Sequence, residues 1–342
     1  MSLLLSPYKI ANVALKNRVV MPPMCMYKAA PNAQIRDFHI VHYAARAIGG
    51  VGLIVVEATA VEARGRISDN DLGLWEDAQI IGHKTLTALC HSLGAKMAIQ
   101  LAHAGRKSLC VDSTPIAPSP LPFNENGEYK TPTEMTIEEI EAIKHAFVDA
   151  AQRAKMSHYD ILELHAAHGY LLCSFLSPLT NQRTDQYGGS LDNRCALVIE
   201  ICDILKQAVD MPLMVRISAD EWVDGGWNID DSVYLSQKLH AIGVDLIHVS
   251  AGGNNAIQPN MPPLQPLYQA AYAKKIKEKV GIPTIAVGLI TSALEGKLLL
   301  ENKTCDLVAY GRELLRNPNF VYFAAKELKE KEQIETSYSR AF

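Results

Sequence analysis

Short apolar runs alternate along this chain with longer segments whose apolar residues recur at helical spacing. Eight runs rich in Val, Ile and Leu predict strands at residues 19–21, 52–58, 96–101, 161–165, 213–217, 246–250, 283–287 and 307–310. Amphipathic stretches at 41–48, 80–93, 137–156, 193–209, 232–242, 270–279 and 292–301 predict the helices between them. Thr136 and Glu139 have the spacing of a capping box for the third helix, and Asp230 is placed to cap the fifth. Strand–helix alternation calls for a parallel sheet with helices outside it, and eight units suffice to close it. The predicted fold class is therefore α/β, a single (β/α)8 TIM barrel spanning residues 1–342. An open dinucleotide fold would want GxGxxG after its first strand, where this chain has Met21-Pro22-Pro23-Met24-Cys25. Prolines and turn residues between 115 and 135 predict an excursion after the third strand, a hairpin or lid. The tail at 326–342 is charged, then ends Ser337-Tyr338-Ser339-Arg340-Ala341-Phe342, an aromatic terminus that predicts docking at a subunit interface.

Composition narrows the class of partner. The net charge of −4 and the lack of a basic stripe argue against a nucleic-acid binder. No apolar run reaches the roughly 18 residues needed to span a bilayer, since even 52–61 is interrupted by Glu57. The first ten residues lack the basic start and length of a secretory signal, so a cytoplasmic location is expected. Seven scattered cysteines with no CxxC pair fit reduced thiols better than a disulfide framework or an iron–sulfur cluster.

Barrel enzymes act at the C-terminal ends of their strands. The polar residues there are Cys25 and Tyr27 after the first strand, Gln100 and His103 at the third, His165, His168 and Tyr170 at the fourth, and Arg216 in the fifth. Gly288 follows the seventh strand, and Gly311 and Arg312 follow the eighth. Glycines admit backbone N–H groups to a phosphate and arginine adds a bidentate charge, so the last two strands suit a phosphate site. Arg216 in a buried strand needs an anionic or electron-rich partner, a carboxylate or a reduced flavin. His165 and His168 suit an oxyanion-binding pair. A metal-dependent barrel hydrolase is the alternative, although no strand end supplies a clear third ligand. Tyr170 is a candidate proton donor, and Cys25 reads as a small buried residue with no base beside it.

Read together, these blocks resemble the old yellow enzymes, and within them the bacterial, thermophilic-like ene-reductases called NADPH dehydrogenases. The carriers are Asn17-Arg18-Val19-Val20-Met21-Pro22-Pro23-Met24-Cys25-Met26-Tyr27, Glu57-Ala58-Thr59-Ala60-Val61, Gln100-Leu101-Ala102-His103-Ala104-Gly105-Arg106-Lys107 and His165-Ala166-Ala167-His168-Gly169-Tyr170. Asn181, Arg183, Asp185, Tyr187-Gly188-Gly189-Ser190 and Asn193-Arg194 follow in the same order. The resemblance implies an FMN cofactor held by Pro22, Pro23, Met24, Cys25, Ala58, Gln100, Arg216, Gly288, Gly311 and Arg312, with NADPH or NADH as reductant and no metal. It implies reduction of the activated C=C bond of an unsaturated carbonyl, maleimide or nitro compound, by hydride from flavin N5. His165 and His168 would bind the substrate oxygen, Tyr170 would give the proton, Cys25 would tune the flavin, and Tyr27 would face substrate. Arg340 would reach a neighbouring active site in a homodimer or homotetramer. Pro22 departs from the Ser or Ala common at its position. The stretch 251–266 matches nothing familiar.

Overall fold

In the computed structural model, which describes residues 1–331 and 334–342, eight parallel strands close on themselves. They are β1 (Val19–Met21), β2 (Leu53–Ala60), β3 (Lys96–Ala102), β4 (Ile161–Ala166), β5 (Leu213–Ser218), β6 (Leu246–Ser250), β7 (Thr284–Ala286) and β8 (Leu307–Ala309). Each pairs with the next, and β8 returns to β1 through Val308 opposite Val19. The outer helices are α1 (Asp37–Ile48), α2 (Ile80–Ser92), α3 (Ile137–Met156), α4 (Leu191–Ala208), α5 (Ile229–Ala241), α6 (Ala270–Val280), α7 (Ala293–Glu301) and α8 (Phe320–Glu327). The predicted barrel is the observed one.

Differences lie at element ends. Helix α1 begins at Asp37 rather than 41, because its inner face carries the buried polar residues His39, His42 and Arg46, which break the apolar rhythm. The side chain capping α5 is Asn228, not Asp230: its Oδ1 accepts from Asp230 N at 2.9 Å. Asp230 lies inside the first turn, where its charge opposes the helix dipole. The capping box at Thr136 and Glu139 forms as expected.

Side chains alternate between the barrel interior and the helical layer. The lower interior is apolar: Val20, Leu53, Val55, Ala98, Ile161, Met214, Leu246, Ile285 and Leu307 form one buried cluster. An N-terminal hairpin, Tyr8–Ile10 paired antiparallel with Val13–Leu15, plugs this end with Ile10 and Leu15. The sequence reading had no element there. Two residues further up strands β2 to β6 the interior turns polar, with Glu57, Gln100, Glu163, Arg216 and His248. The floor of the functional end is therefore a buried polar layer on an apolar plug.

The excursion after β3 is closed at its base, where Ile116–Ala117 pairs with Thr133–Glu134. That pairing is parallel, so the excursion is a pinched loop and not the hairpin considered from sequence. Its Phe123 reaches the rim, 4.2 Å from Lys107 Nζ. The tail folds at the opposite end of the barrel. Tyr338 and Phe342 pack on Tyr322 at 6.0 and 5.8 Å between ring centroids, and residues 334–338 line a groove with Lys16, Asn17, Gly50 and Gly94. Residues 332 and 333, within the predicted tail, lie outside the described residues. All seven cysteines are free thiols.

Candidate active site

A cavity of about 480 Å3 opens at the C-terminal ends of β1 and β4–β8. Pro22, Pro23, Met24, His168, Arg216, Gly288, Gly311 and Arg312 line it, so most of the expected cofactor-holding residues meet in one place. Cys25, Ala58 and Gln100 are not in its wall. Gln100 lies in the polar layer, where its Nε2 donates to Glu163 Oε1 at 2.8 Å.

The two lobes of the cavity differ in chemistry. One is bounded by the loops after β7 and β8. Gly288, at φ +129°, takes a conformation closed to side chains, and a Cβ there would press on Gln269 at 3.1 Å. A Cβ on Gly311 would meet nothing closer than 3.7 Å, so its backbone lies open. With Arg312 and Arg316 in the wall, this lobe suits a phosphate. In the other lobe stands Arg216, only 8% exposed. Its Nη1 donates to Pro23 O at 3.4 Å, while its Nε has no protein partner. A buried guanidinium N–H without an acceptor is costly, and an electron-rich ligand in the cavity would satisfy it. Burial draws the Arg216 pKa down from its ordinary value, with Glu163 the main opposing charge. Glu163 itself is bound on both sides, by Gln100 and by His248 Nδ1 at 2.7 Å. These residues fit an anionic, planar cofactor such as FMN.

His165, His168 and Tyr170 gather after β4, where His165 lies opposite Arg216 in register; His168 lines the cavity, and His165 and Tyr170 stand against it without entering its wall. The His165 ring stands edge-on to His168 at 5.3 Å and to Tyr170 at 5.1 Å between centroids. Desolvation, reinforced by the Arg216 charge, pushes both histidine pKa values well below the usual range. Both are neutral at pH 7. The Ala167 N–H donates to His165 Nδ1 at 3.4 Å, which leaves the ring proton on Nε2. His168 Nε2 pairs with Ser250 Oγ at 2.8 Å, and its backbone N–H donates to Ser218 Oγ at 2.9 Å. The Tyr170 phenol is raised well above its ordinary pKa, chiefly by burial, so it too keeps its proton.

The backbone here is strained and tightly stapled. His168 at φ +60° and Leu289 at +52° are left-handed non-glycine residues in the cavity wall. Gly169 and Gly253 let the loops after β4 and β6 touch: a Cβ on Gly169 would lie 2.4 Å from Gly253 O. Lys107 bridges the same loops, donating to His168 O at 3.0 Å and Gly253 O at 3.1 Å. Its ammonium lies 5.1 Å over the Tyr170 ring, and burial lowers its pKa to about 8. The stretch after β6, unread from sequence, thus supports the His168–Tyr170 turn.

Tyr27 is 47% exposed, and Glu57 accepts from the neighbouring Met26 N–H at 2.7 Å. Arg340 is not brought to this site, because the tail that carries it lies at the far end of the barrel. Among the described residues, His165 and His168 gather no third group at metal-ligating separation, which leaves the hydrolase alternative without support. Sequence reasoning missed Glu163, His248, Ser218 and Ser250 as working parts of the layer. Their signal was present: each stands at an even step along its strand from an inward apolar residue, as in Leu246, His248 and Ser250.

Residues 3–331 match the model of the NADH:flavin oxidoreductase / NADH oxidase family. The chain is 48% identical over its whole length to an NADPH dehydrogenase of Geobacillus thermodenitrificans, covering 99% of that protein, and equally so to one from Geobacillus sp. strain WCH70. Among solved structures, a morphinone reductase is 28% identical at a TM-score of 0.82, over 95% of this chain and 90% of that one. A 2-naphthoyl-CoA reductase complex reaches 0.89 over 97% of this chain, but this chain spans only 53% of it. At 24% identity that likeness shows the fold alone. No helix among the described residues is long and apolar enough to cross a membrane. On the full-length match and the cavity that fits its cofactor, this chain belongs to the NADH:flavin oxidoreductase family, the old yellow enzymes, as an FMN-dependent NAD(P)H oxidoreductase.

Proposed function

We propose that the chain is an ene-reductase acting on activated C=C bonds of unsaturated carbonyl, maleimide or nitro compounds. One observation carries the reading: two neutral imidazoles and a neutral phenol meet edge-on, with His168 of this cluster in the wall of the cofactor cavity. A bound FMN would supply hydride chemistry at Cβ, with NADPH or NADH as its source of electrons. His165 and His168 hold the substrate oxygen and hydrogen-bond the charge that builds on it, a preorganised oxyanion site. Neutral donors suit this task, since they stabilise the charge without protonating the oxygen. Tyr170 gives its proton to Cα and recovers it from solvent. Arg216 would lie against the electron-rich pyrimidine edge of the cofactor, and Gly288, Gly311 and Arg312 would hold its phosphate. The Geobacillus relatives are named for NADPH, which favours that reductant here.

The same reading extends to assembly. Arg340 sits on the face opposite its own site, so the site it serves would be a neighbour's, in a homodimer or homotetramer.

Stopped-flow kinetics separate the two half-reactions. With 2-cyclohexenone as acceptor, His165→Ala should slow flavin reoxidation by about 10²–10³-fold, with its reduction by NADPH nearly unchanged. Tyr170→Phe should also slow reoxidation while the protein stays yellow. Wild-type reoxidation rates in both variants would overturn the reading.

A further inference from the structure

Three residues past β5 and outside the cavity wall, Glu221 is only 1% exposed. Its carboxylate is held by four neutral donors and, among the described residues, by no ion pair. Ser177 Oγ at 2.6 Å and the Trp227 N–H donate to Oε1. Asn255 Nδ2 at 2.9 Å and Asn254 Nδ2 donate to Oε2. The backbone makes room for the charge, since a Cβ on Gly226 would lie 2.0 Å from Oε1. Burying a carboxylate without a cation carries a desolvation cost, and the reacting groups themselves make no contact with it.

Its donors belong to the two loops that meet beside the site. Ser177 ends the short helix Leu171–Leu176, which begins directly after Tyr170, so it closes the segment that the His168–Tyr170 turn opens. Asn254 and Asn255 follow Gly253, whose carbonyl would meet a Cβ on Gly169. Asn254 Nδ2 also reaches Thr180 Oγ1 at 3.4 Å, on the same segment as Ser177. The Asn254 carbonyl accepts from Arg106 Nη2. The side-chain oxygen of Asn254 is buried without a partner, so the carboxylate decides which way this amide points. Lys107 staples the two loops from the end of β3, and Glu221 ties them from the end of β5.

We propose, resting on the ene-reductase reading of His168 and Tyr170, that Glu221 is a positioning residue: it binds the loop after β4 to the loop after β6 and so fixes where those two side chains stand. Four donors are satisfied only by acceptors at both carboxylate oxygens. In Glu221→Gln an NH2 group takes the place of one oxygen. With Oε1 kept toward Ser177 and Trp227, that NH2 faces the donors of Asn254 and Asn255, and the loop after β6 is pushed off the turn. Adding Asn254→Asp returns an acceptor opposite the new amide, with carboxylate and carboxamide exchanged between the two positions.

The test uses the FMN-loaded enzyme, titrated with 4-chlorophenol through its flavin absorption, because a phenolate imitates the charge built on the substrate oxygen. Stopped-flow reoxidation by 2-cyclohexenone accompanies it. Glu221→Gln should keep its yellow colour, bind the phenol about 10–100-fold more weakly and reoxidise more slowly by a similar factor. The Glu221→Gln/Asn254→Asp double variant should recover most of both losses. A merely structural Glu221 would lower the urea midpoint and leave phenol affinity and reoxidation at wild-type values, which overturns the proposal. A double variant as impaired as Glu221→Gln overturns it too. Should Glu221→Gln lose its flavin, Ser177→Ala removes one donor to the same carboxylate: phenol binding weakened about tenfold supports the proposal, and wild-type affinity overturns it. A wild type that the enone cannot reoxidise would instead sink the reductase reading, while phenol affinity, which needs no turnover, still decides the role of Glu221.

Discussion

The contact between the loops after β4 and β6 sets the position of His168 and Tyr170, and Gly169→Ala perturbs it with little other change. Gly169 sits at φ +76°, where an L side chain costs about 1–2 kcal/mol. Its new Cβ would also fall 2.4 Å from Gly253 O and 2.7 Å from Asn254 Cα, both backbone atoms that cannot rotate away. Forced repacking of this kind adds about 1–3 kcal/mol, for a total near 2–5 kcal/mol. Gly189→Ala is the matched control, because Gly189 shares the left-handed conformation at φ +77° but has open space around its Cβ position. It should lose only the conformational part, about 1–2 kcal/mol. Urea unfolding of both variants measures the difference. In turnover, Gly189→Ala should resemble wild type. Gly169→Ala should lose about 10²-fold in reoxidation rate, the usual consequence of moving catalytic groups by about an ångström. Equal destabilisation in the two variants, or full activity in Gly169→Ala, would refute the claim that loop contact positions the site.

Other residues give independent tests. Arg216→Gln should weaken FMN binding by about 10–150-fold, the worth of one charge-assisted hydrogen bond of about 1.5–3 kcal/mol, measured by flavin release on dialysis. Lys107→Met removes the donor to His168 O and Gly253 O and should cost about 1.5–3 kcal/mol in urea unfolding, with a slower reoxidation step. An unaltered rate would reduce Lys107 to packing. Glu57 is raised from 4.5 to about 7 by burial, so its contribution to stability is fully present below pH 4.5 and is lost as pH rises through 7. Glu57→Gln should therefore flatten the fall in unfolding free energy between pH 4.5 and 8 by about 3 kcal/mol. An unchanged slope would place the burden on another group.

By itself the sequence determined the barrel and the identity of most site groups. Short continuous apolar runs bounded by turns read as strands buried on both faces, and eight of them interleaved with helical patterns leave closure as the compact solution. Pro22 to Met24, His165, His168, Tyr170, Arg216, Gly288 and Gly311 were legible because they end strands, and strand ends converge at one mouth. Tertiary structure decided what converges from different strands. Glu163 looked like a neighbour in sequence to the histidines, but it faces Gln100 and His248 from the adjacent wall and supports the Arg216 charge. Glu221 meets Ser177 and Asn254 only because the loops after β4, β5 and β6 return to one point. Arg340 was read as serving a neighbouring subunit's site, and the fold places the tail that carries it at the end of the barrel away from its own site. Local pattern fixes which face of a strand a residue occupies, while the register between strands and the return of loops fix which residues touch, and that information is not written at any single position.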